Sequence, residues 1–424
     1  MNIGFNKTEI SPENNVELAG YGFYLNRIST GIKDPLFAKS IILSSSKTTI
    51  VLVSIDLIGI CKSTTDIIRE KINRITKIPK ENILISAVHT HSGPSTVPLR
   101  GVGGYNREYI DFMTEKIIYS VETAYKNMFE GKIGFGKVEA AGICCDRTQK
   151  YKPISSHIDF LKIVDNKKKL QGIAFFIGCH SVVLKDKNHL ITPDYSFYTC
   201  KILEKEMNIP CAAFFQGSCG NVNPITKNND FAEAEAVGEK LSSFIIGGID
   251  NVIVSEIVDI RVLNKQIKLP TDNKTMQELQ EIRSELILTN KPKYIDEIYP
   301  EALRVEYEWI EAMITKVKKG DVLDFIETEF QYIKINEIII VGIPGEIFNH
   351  YEKEIKRVSG NENIIFIGYA NDFLGYFPDE NDFKVKGYAS NSVPVFIDKF
   401  HFKMQIIDII TKNIFTAVRE LNNV

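Results

Sequence analysis

Hydrophobic residues along this chain fall into two rhythms. Short runs of Ile, Val, Leu and Phe, bounded by Gly, Pro, Asn or Ser, predict buried strands at 39–44, 48–54, 82–88, 133–138, 157–164, 170–177, 211–215 and 363–368. Between them, apolar positions at helical spacing predict helices. Ile67, Ile68, Ile72 and Ile75 mark one at 63–76, with Ser63 as its cap. Others are expected at 107–128, 196–207, 232–244 and 347–358. Strand, helix, strand over 48–88 predicts a βαβ unit and a parallel or mixed sheet.

After Gly247-Gly248 the pattern changes. Residues 251–267 are strand-like, and 275–319 are strongly helical and charged, broken near Asn290-Lys291-Pro292. The latter predicts a helical hairpin, either a cover for a cleft or a structural insertion. Residues 325–335 and 337–341 predict an antiparallel pair around Asn336. The expected fold class is α/β, a mixed sheet with flanking helices, a metal site at strand ends and a helical insertion at about 275–320. One domain over 1–424 is expected, with an α/β core at 1–248, a strand plus hairpin insertion at 249–335 and a C-terminal part at 336–424.

Several predicted strands run out into residues that carry chemistry. The strand at 82–88 exits into His89-Thr90-His91-Ser92-Gly93-Pro94. In extended chain, alternate side chains share a side, so the two imidazoles are expected to aim into one space. The strand at 170–177 exits into Gly178-Cys179-His180, and the one at 337–341 into Gly342-Ile343-Pro344-Gly345-Glu346. Ligands in such sheets gather at strand ends. Two His and a carboxylate with an open position form the ligand set of a hydrolytic zinc site, and His89 and His91 both remain candidates. Asp56, at the end of another buried strand, reads equally as a turn cap or as a carboxylate orienting a histidine. The loop Gln216 to Pro224 is expected either to offer an oxyanion nest or to be an ordinary turn. Arg147, on a predicted loop, reads first as a solvated charge.

Composition narrows the class. The chain has 424 residues, 44% hydrophobic and 25% charged, with a net charge of -3. Nothing there points to nucleic acid or an anionic membrane surface. The run Lys167-Lys168-Lys169 predicts a hairpin turn. No apolar run approaches the ~18 residues of a membrane span. The seven Cys are scattered and mostly within apolar runs, which suggests buried thiols in a reducing compartment. With no signal peptide visible, a cytoplasmic location is expected.

These motifs, in order, resemble the neutral/alkaline non-lysosomal ceramidase family in its N-terminal catalytic domain. The likeness runs from about residue 2 to about residue 398. It includes Glu9-Ile10-Ser11-Pro12, Leu18-Ala19-Gly20-Tyr21-Gly22, Gly31-Ile32-Lys33-Asp34-Pro35-Leu36, His89 to Pro94, Gly178-Cys179-His180, Thr192-Pro193-Asp194-Tyr195, Gln216 to Pro224 and Pro344-Gly345-Glu346. The resemblance implies zinc held by His89, His180, Glu346 and Tyr376, with Tyr376 taken over Tyr369 and Tyr388. It implies that His91 hydrogen-bonds the water or the substrate carbonyl. Arg147 would orient the substrate, although the family's Asn-Arg pair is Asp146-Arg147 here. A zinc-activated water would cleave the carbon–nitrogen bond of a ceramide-like N-acyl amide. The partner would thus be a small-molecule or lipid-like amide.

Two departures bear on this. Where the family carries Gly-Asp-Val-Ser-Pro, this chain has Gly220-Asn221-Val222-Asn223-Pro224. Asn223 cannot act as a serine nucleophile, but its amide is expected to donate to an oxyanion. Ser218 is a fallback nucleophile without an evident base. The C-terminal β-sandwich domain of the ceramidases is not expected within 1–424, which favours a smaller or more soluble amide. The alternatives are a non-catalytic metal-stabilised relative that binds a ligand, a hydrolase of a different small amide or ester, or iron or manganese in the same pocket.

Overall fold

The strand Thr49–Ile55 shows how the sequence builds the molecule. Its side chains alternate between two faces, as a pleated strand requires. Val51, Val53 and Ile55 enter one core cluster, and Ile50 and Leu52 enter another. A strand apolar on both faces must be covered on both. Helices Lys62–Thr76 and Arg107–Lys126 cover the first face with Ile68, Ile72, Met113 and Ile117. A second sheet covers the other, through Ile333, Ile335, Ile338 and Ile340. The structure is a computed structural model that describes residues 1–256, 259–296, 298–299 and 301–422.

The main sheet has eight strands in the order Cys211–Gln216, Leu170–Ile177, His157–Asp165, Phe129–Glu139, Asn2–Glu9, Phe37–Ser44, Thr49–Ile55, Ile83–Ala87. Its interior pairs are antiparallel and its outermost pair at each end is parallel. It is the mixed sheet expected. The parallel pair Thr49–Ile55 and Ile83–Ala87 is joined through helix Lys62–Thr76, the predicted βαβ unit. The three-lysine run lies in the turn between His157–Asp165 and Leu170–Ile177, with Lys168 left-handed at φ 64°.

The sheet curls until its two parallel ends meet. Ser54 Oγ donates to Phe214 O, and Gln216 Nε2 donates to Val88 O at 3.2 Å. This closure brings the exits of Ile83–Ala87 and Leu170–Ile177 together.

The second sheet runs Ile364–Ile367, Ile338–Gly342, Phe325–Ile335, Ile260–Asp272, His401–Phe402. Helices Asn349–Ser359 and Ile406–Asn422 cover its outer face with Tyr351, Ile355, Ile410 and Ile414, giving helix, sheet, sheet, helix. The strand expected at 251–267 begins only at Ile260. Before it, Ser255 bridges to Ile133 of the main sheet, and Ile257 and Val258 lie outside the described residues. The expected insertion is a hairpin of helices Met276–Thr289 and Ala302–Lys319. A capping box of Thr275 and Glu278 opens its first helix, and left-handed Asn290 (φ 51°) closes it. Among the described residues, no helix is long and apolar enough to cross a membrane.

Candidate metal centre

The pleat does not pair the two histidines of the His-Thr-His segment. The strand ends at Ala87, and His89 is left-handed, with φ 64°. Its N–H donates to Leu57 O at 2.9 Å, and the turn so made folds His91 back until the two Nε2 atoms are 3.0 Å apart. A non-glycine residue with positive φ is uncommon and persists where surrounding contacts hold it.

His180 follows the strand Leu170–Ile177, with its N–H on Val222 O at 3.0 Å. Glu346 opens a two-residue parallel ladder in which it is the register partner of Tyr376. His180 Nε2 lies 3.0 Å from Glu346 Oε2, and His89 Nε2 lies 3.7 Å from it. One donor atom from each of the three falls within 4.8 Å of the others, and all three residues are buried.

The other ring nitrogens explain the aim. His89 Nδ1 faces Ile58 O at 2.6 Å, and His180 Nδ1 faces Val222 O at 2.9 Å. A carbonyl only accepts, so each Nδ1 carries the proton and each Nε2 keeps its lone pair for the shared space. Burial lowers the His89 pKa to about 4 and lowers His180 as well, so both rings are neutral near pH 7. Burial pushes the Glu346 carboxyl up, but its surroundings, the Tyr376 hydroxyl among them, hold it below its ordinary range and ionised. A tetrahedral zinc with bonds of ~2.0–2.1 Å sets its ligands roughly 3.3 Å apart. The separations of 3.0 and 3.7 Å bracket that value. The donor set, its protonation and its spacing fit a divalent ion.

Arg147 is not a solvated loop charge. Its Nη2 donates to Gly220 O at 2.8 Å and to the Tyr376 hydroxyl at 2.7 Å, and the guanidinium lies over the Tyr376 ring. It therefore sits beside the ladder that carries Glu346.

A family model described as neutral/alkaline non-lysosomal ceramidase, N-terminal, matches residues 1–243, more than half of the chain. The chain belongs to this family. Among curated relatives, the neutral ceramidase of Pseudomonas aeruginosa is 26% identical over 164 residues, which is 34% of this chain and 24% of that protein. Neutral ceramidase B of Dictyostelium discoideum is 28% identical over 173 residues, again 34% of this chain and 24% of the relative. The match thus spans about a quarter of these relatives' length. Among solved structures, the Pseudomonas aeruginosa neutral ceramidase superposes with a TM-score of 0.72 at 18% identity, covering 92% of this chain and 70% of that one. A ceramidase complexed with C2 gives 0.74 at 16% identity, covering 99% and 75%. At that identity the likeness establishes the fold.

In this ceramidase-family chain a second tyrosine stands closer to the trio than the sequence reading placed it. The Tyr369 hydroxyl is 3.2 Å from Glu346 Oε2 and 3.5 Å from His180 Nε2, and its ring stacks on His89 at 4.2 Å. The signal was available, because Tyr369 is the second residue beyond the strand Ile364–Ile367. Asp56 fulfils neither role expected of it. Its carboxylate accepts from Phe37 N at 2.9 Å and pairs with buried Lys39 at 3.3 Å.

The loop Gln216 to Pro224 is no open nest. The N–H groups of Gly217, Cys219, Gly220 and Val222 all donate to backbone carbonyls. Asn221, within that loop, ties it to the Asp146-Arg147 segment. Its Nδ2 donates to Asp146 Oδ2 at 2.9 Å, and its carbonyl accepts from Arg147 N at 2.9 Å, so it anchors the Asp146-Arg147 pair. Asn223 pairs through its backbone with Cys145, and its Oδ1 is buried without a hydrogen-bond partner. Ser218 Oγ donates to Glu352 Oε2 at 2.8 Å. Lys356 and His157 hold that carboxylate ionised against its burial, which leaves it a poor base for a serine.

Above the trio lies an apolar pocket. Phe23, Ile58, Leu99, Phe373 and Phe396 line it together with His89, His91, Glu346 and Tyr376.

Proposed function

We propose that this chain is a zinc-dependent hydrolase that cleaves the carbon–nitrogen bond of an N-acyl amide resembling ceramide. One observation carries the reading: two unprotonated imidazole nitrogens and an ionised carboxylate converge, and His89 and Glu346 of that trio line an apolar pocket. His89, His180 and Glu346 would hold the ion, with the Tyr376 hydroxyl beside them. Zinc bound there would supply an acidified water near neutral pH.

The chain's own residues account for the rest. His91 is kept neutral by burial, so it can hydrogen-bond the water or the carbonyl without carrying charge into the centre. Arg147 stays cationic and fixes the Tyr376 hydroxyl, which supports an orienting role toward the amide oxygen. Water adds across the bond, so the products are a carboxylic acid and an amine. The pocket's apolar lining supports a substrate with a hydrocarbon part. All seven cysteines are free and six are buried, which supports a reducing, cytoplasmic setting. Cell fractionation that found the protein in an oxidising compartment would count against that setting.

The test of the reaction is metal content and turnover together. Protein purified without added metal is expected to carry about one zinc per chain. His180→Ala is expected to lose it along with hydrolysis of N-acyl amides. Zinc present without turnover of any amide or ester would overturn the enzymatic reading.

A further inference from the structure

The helical hairpin contributes nothing to the metal centre, yet residues of its connection reach the pocket above it. Ile295 and Tyr299 line the same cavity as His89, His91 and Glu346. The Tyr299 ring meets Phe23 edge-on at 5.9 Å, and Phe23 meets Phe396 at 5.7 Å.

A connection between two surface helices is ordinarily free to move. This one is held from two sides. Glu306, fully buried, accepts the backbone N–H groups of Lys293 at 2.8 Å, Tyr294 at 2.9 Å and Ile295 at 3.3 Å. The carbonyl of Tyr294 accepts from Asn391 Nδ2 and Ser392 Oγ, both at 2.8 Å. The Tyr294 ring lies 4.7 Å from His401 and 5.3 Å from Trp309. The second helix is fixed to the other loops of the pocket. Glu308 accepts from Arg100 at 3.2 Å and from the Tyr24 hydroxyl, and Arg304 lies 3.6 Å above the Tyr24 ring. A carboxylate is costly to bury, and here its hydrogen bonds are all spent on the strand of chain that carries Ile295.

We propose that the described residues of this connection form a fixed wall of the substrate pocket, that Ile295 and Tyr299 among them pack against a saturated hydrocarbon chain of the substrate, and that Glu306 is the residue positioning the wall. The inference rests on the hydrolase reading for the identity of the occupant as a substrate. Among the described residues lining the pocket there is neither Lys nor Arg, so an anionic group meets no cationic side chain there, and the walls away from Glu346 are apolar. A buried methylene strengthens binding roughly fourfold, so such a wall selects by chain length.

The experiment measures kcat/KM for two series of amides. One varies a saturated acyl chain from about two to about twelve carbons on a fixed amine, and the other varies an alkylamine on a fixed acetyl group. The quantity read is the long-to-short ratio, which does not depend on how much enzyme is active. In wild type it is expected to rise by roughly fourfold per methylene over several carbons in one series, and that series identifies the acyl or the amine side as the occupant. Tyr299→Ala, Ile295→Ala and Glu306→Ala are expected to lower that ratio at least tenfold, and Glu306→Gln, which keeps an acceptor oxygen, to restore part of it. A ratio unchanged in all the variants overturns the wall. Should wild type hydrolyse neither series, calorimetry with 1-octanol and 1-butanol decides separately. Tighter octanol binding that Tyr299→Ala abolishes keeps the wall while the hydrolase reading falls, and equal binding of the two alcohols overturns the wall.

Discussion

A β-carbon on Gly20 would lie 2.3 Å from Cγ of His91, and Gly20 has φ +108°, where a side chain is strained whatever the space. Glycine at this position therefore lets the His91 ring lie over the trio. Gly20→Ala is expected to push His91 aside while leaving His89, His180 and Glu346 in place. Zinc content should stay near wild type, and kcat/KM should fall on the order of a hundredfold, as misplacing a catalytic group by about 1 Å does. Metal analysis beside amide kinetics checks this, and unchanged turnover would remove His91 from the reaction. At this scale the sequence was partly legible. His89, His180 and Glu346 stand at strand exits, and strand exits are visible as apolar runs giving way to Gly and Pro. The left-handed turn at His89 was not legible, because it depends on a hydrogen bond to Leu57 O, thirty-odd residues away in the chain. The anchoring of Arg147 depends likewise on Gly220 and Tyr376, which no local pattern links to it.

Among the elements, the helix Asn349–Ser359 follows directly on the ladder that carries Glu346, so whatever fixes that helix also fixes this candidate ligand. It is tied to the main sheet through Glu352 and Lys356. His157, on strand His157–Asp165, lies 3.1 Å from Asp159, 3.6 Å from Glu352 and 3.1 Å from Lys356 Nζ. Hydrogen bonds to Asp159 and Glu352 raise the His157 pKa to about 9. A group whose pKa is raised on folding stabilises fully below its unfolded value, about 6.5 for histidine, and the contribution is lost as pH rises through the folded value. The melting temperature is therefore expected to decline between about pH 6.5 and pH 9, and His157→Gln should flatten that decline. The side chain is 37% exposed, so solvent screens the pair and the change will be modest. Equal slopes in the two proteins would mean that other groups set the pH dependence. Strands and long helices were legible because each satisfies one periodicity. The start of Ile260–Asp272 was not, because residues 251–256 have strand-like composition but are drawn to Ile133 of the other sheet.

On the scale of the whole molecule, the candidate metal centre exists because an eight-stranded sheet curls until its ends meet. His89 leaves the strand at one end of the order and His180 the last strand but one at the other end, 91 positions apart in sequence, so no window of the chain could have joined them. One buried amide stands at the join. Gln216 Nε2 donates to Val88 O at 3.2 Å, and its Oε1 accepts from Cys179 N at 3.1 Å. Val88 and Cys179 each immediately precede a histidine of the trio, so a single side chain fixes the distance between the two exits. Gln216→Leu keeps the volume and removes both bonds; Cys179 N–H retains Ile177 O at 3.2 Å, but the buried Val88 carbonyl loses its side-chain donor, at a cost of roughly 1–3 kcal/mol. Ligand-supporting contacts of this kind typically change metal affinity by about 10–100-fold. Ser54→Ala provides the contrast, since it removes a bond across the same seam, to Phe214 O, that does not touch a residue next to a histidine. Both variants are expected to melt earlier than wild type, but only Gln216→Leu should release zinc more readily to a competing chelator. Equal zinc affinity in the two variants would mean that the seam holds the sheet together without setting the geometry of the metal ligands.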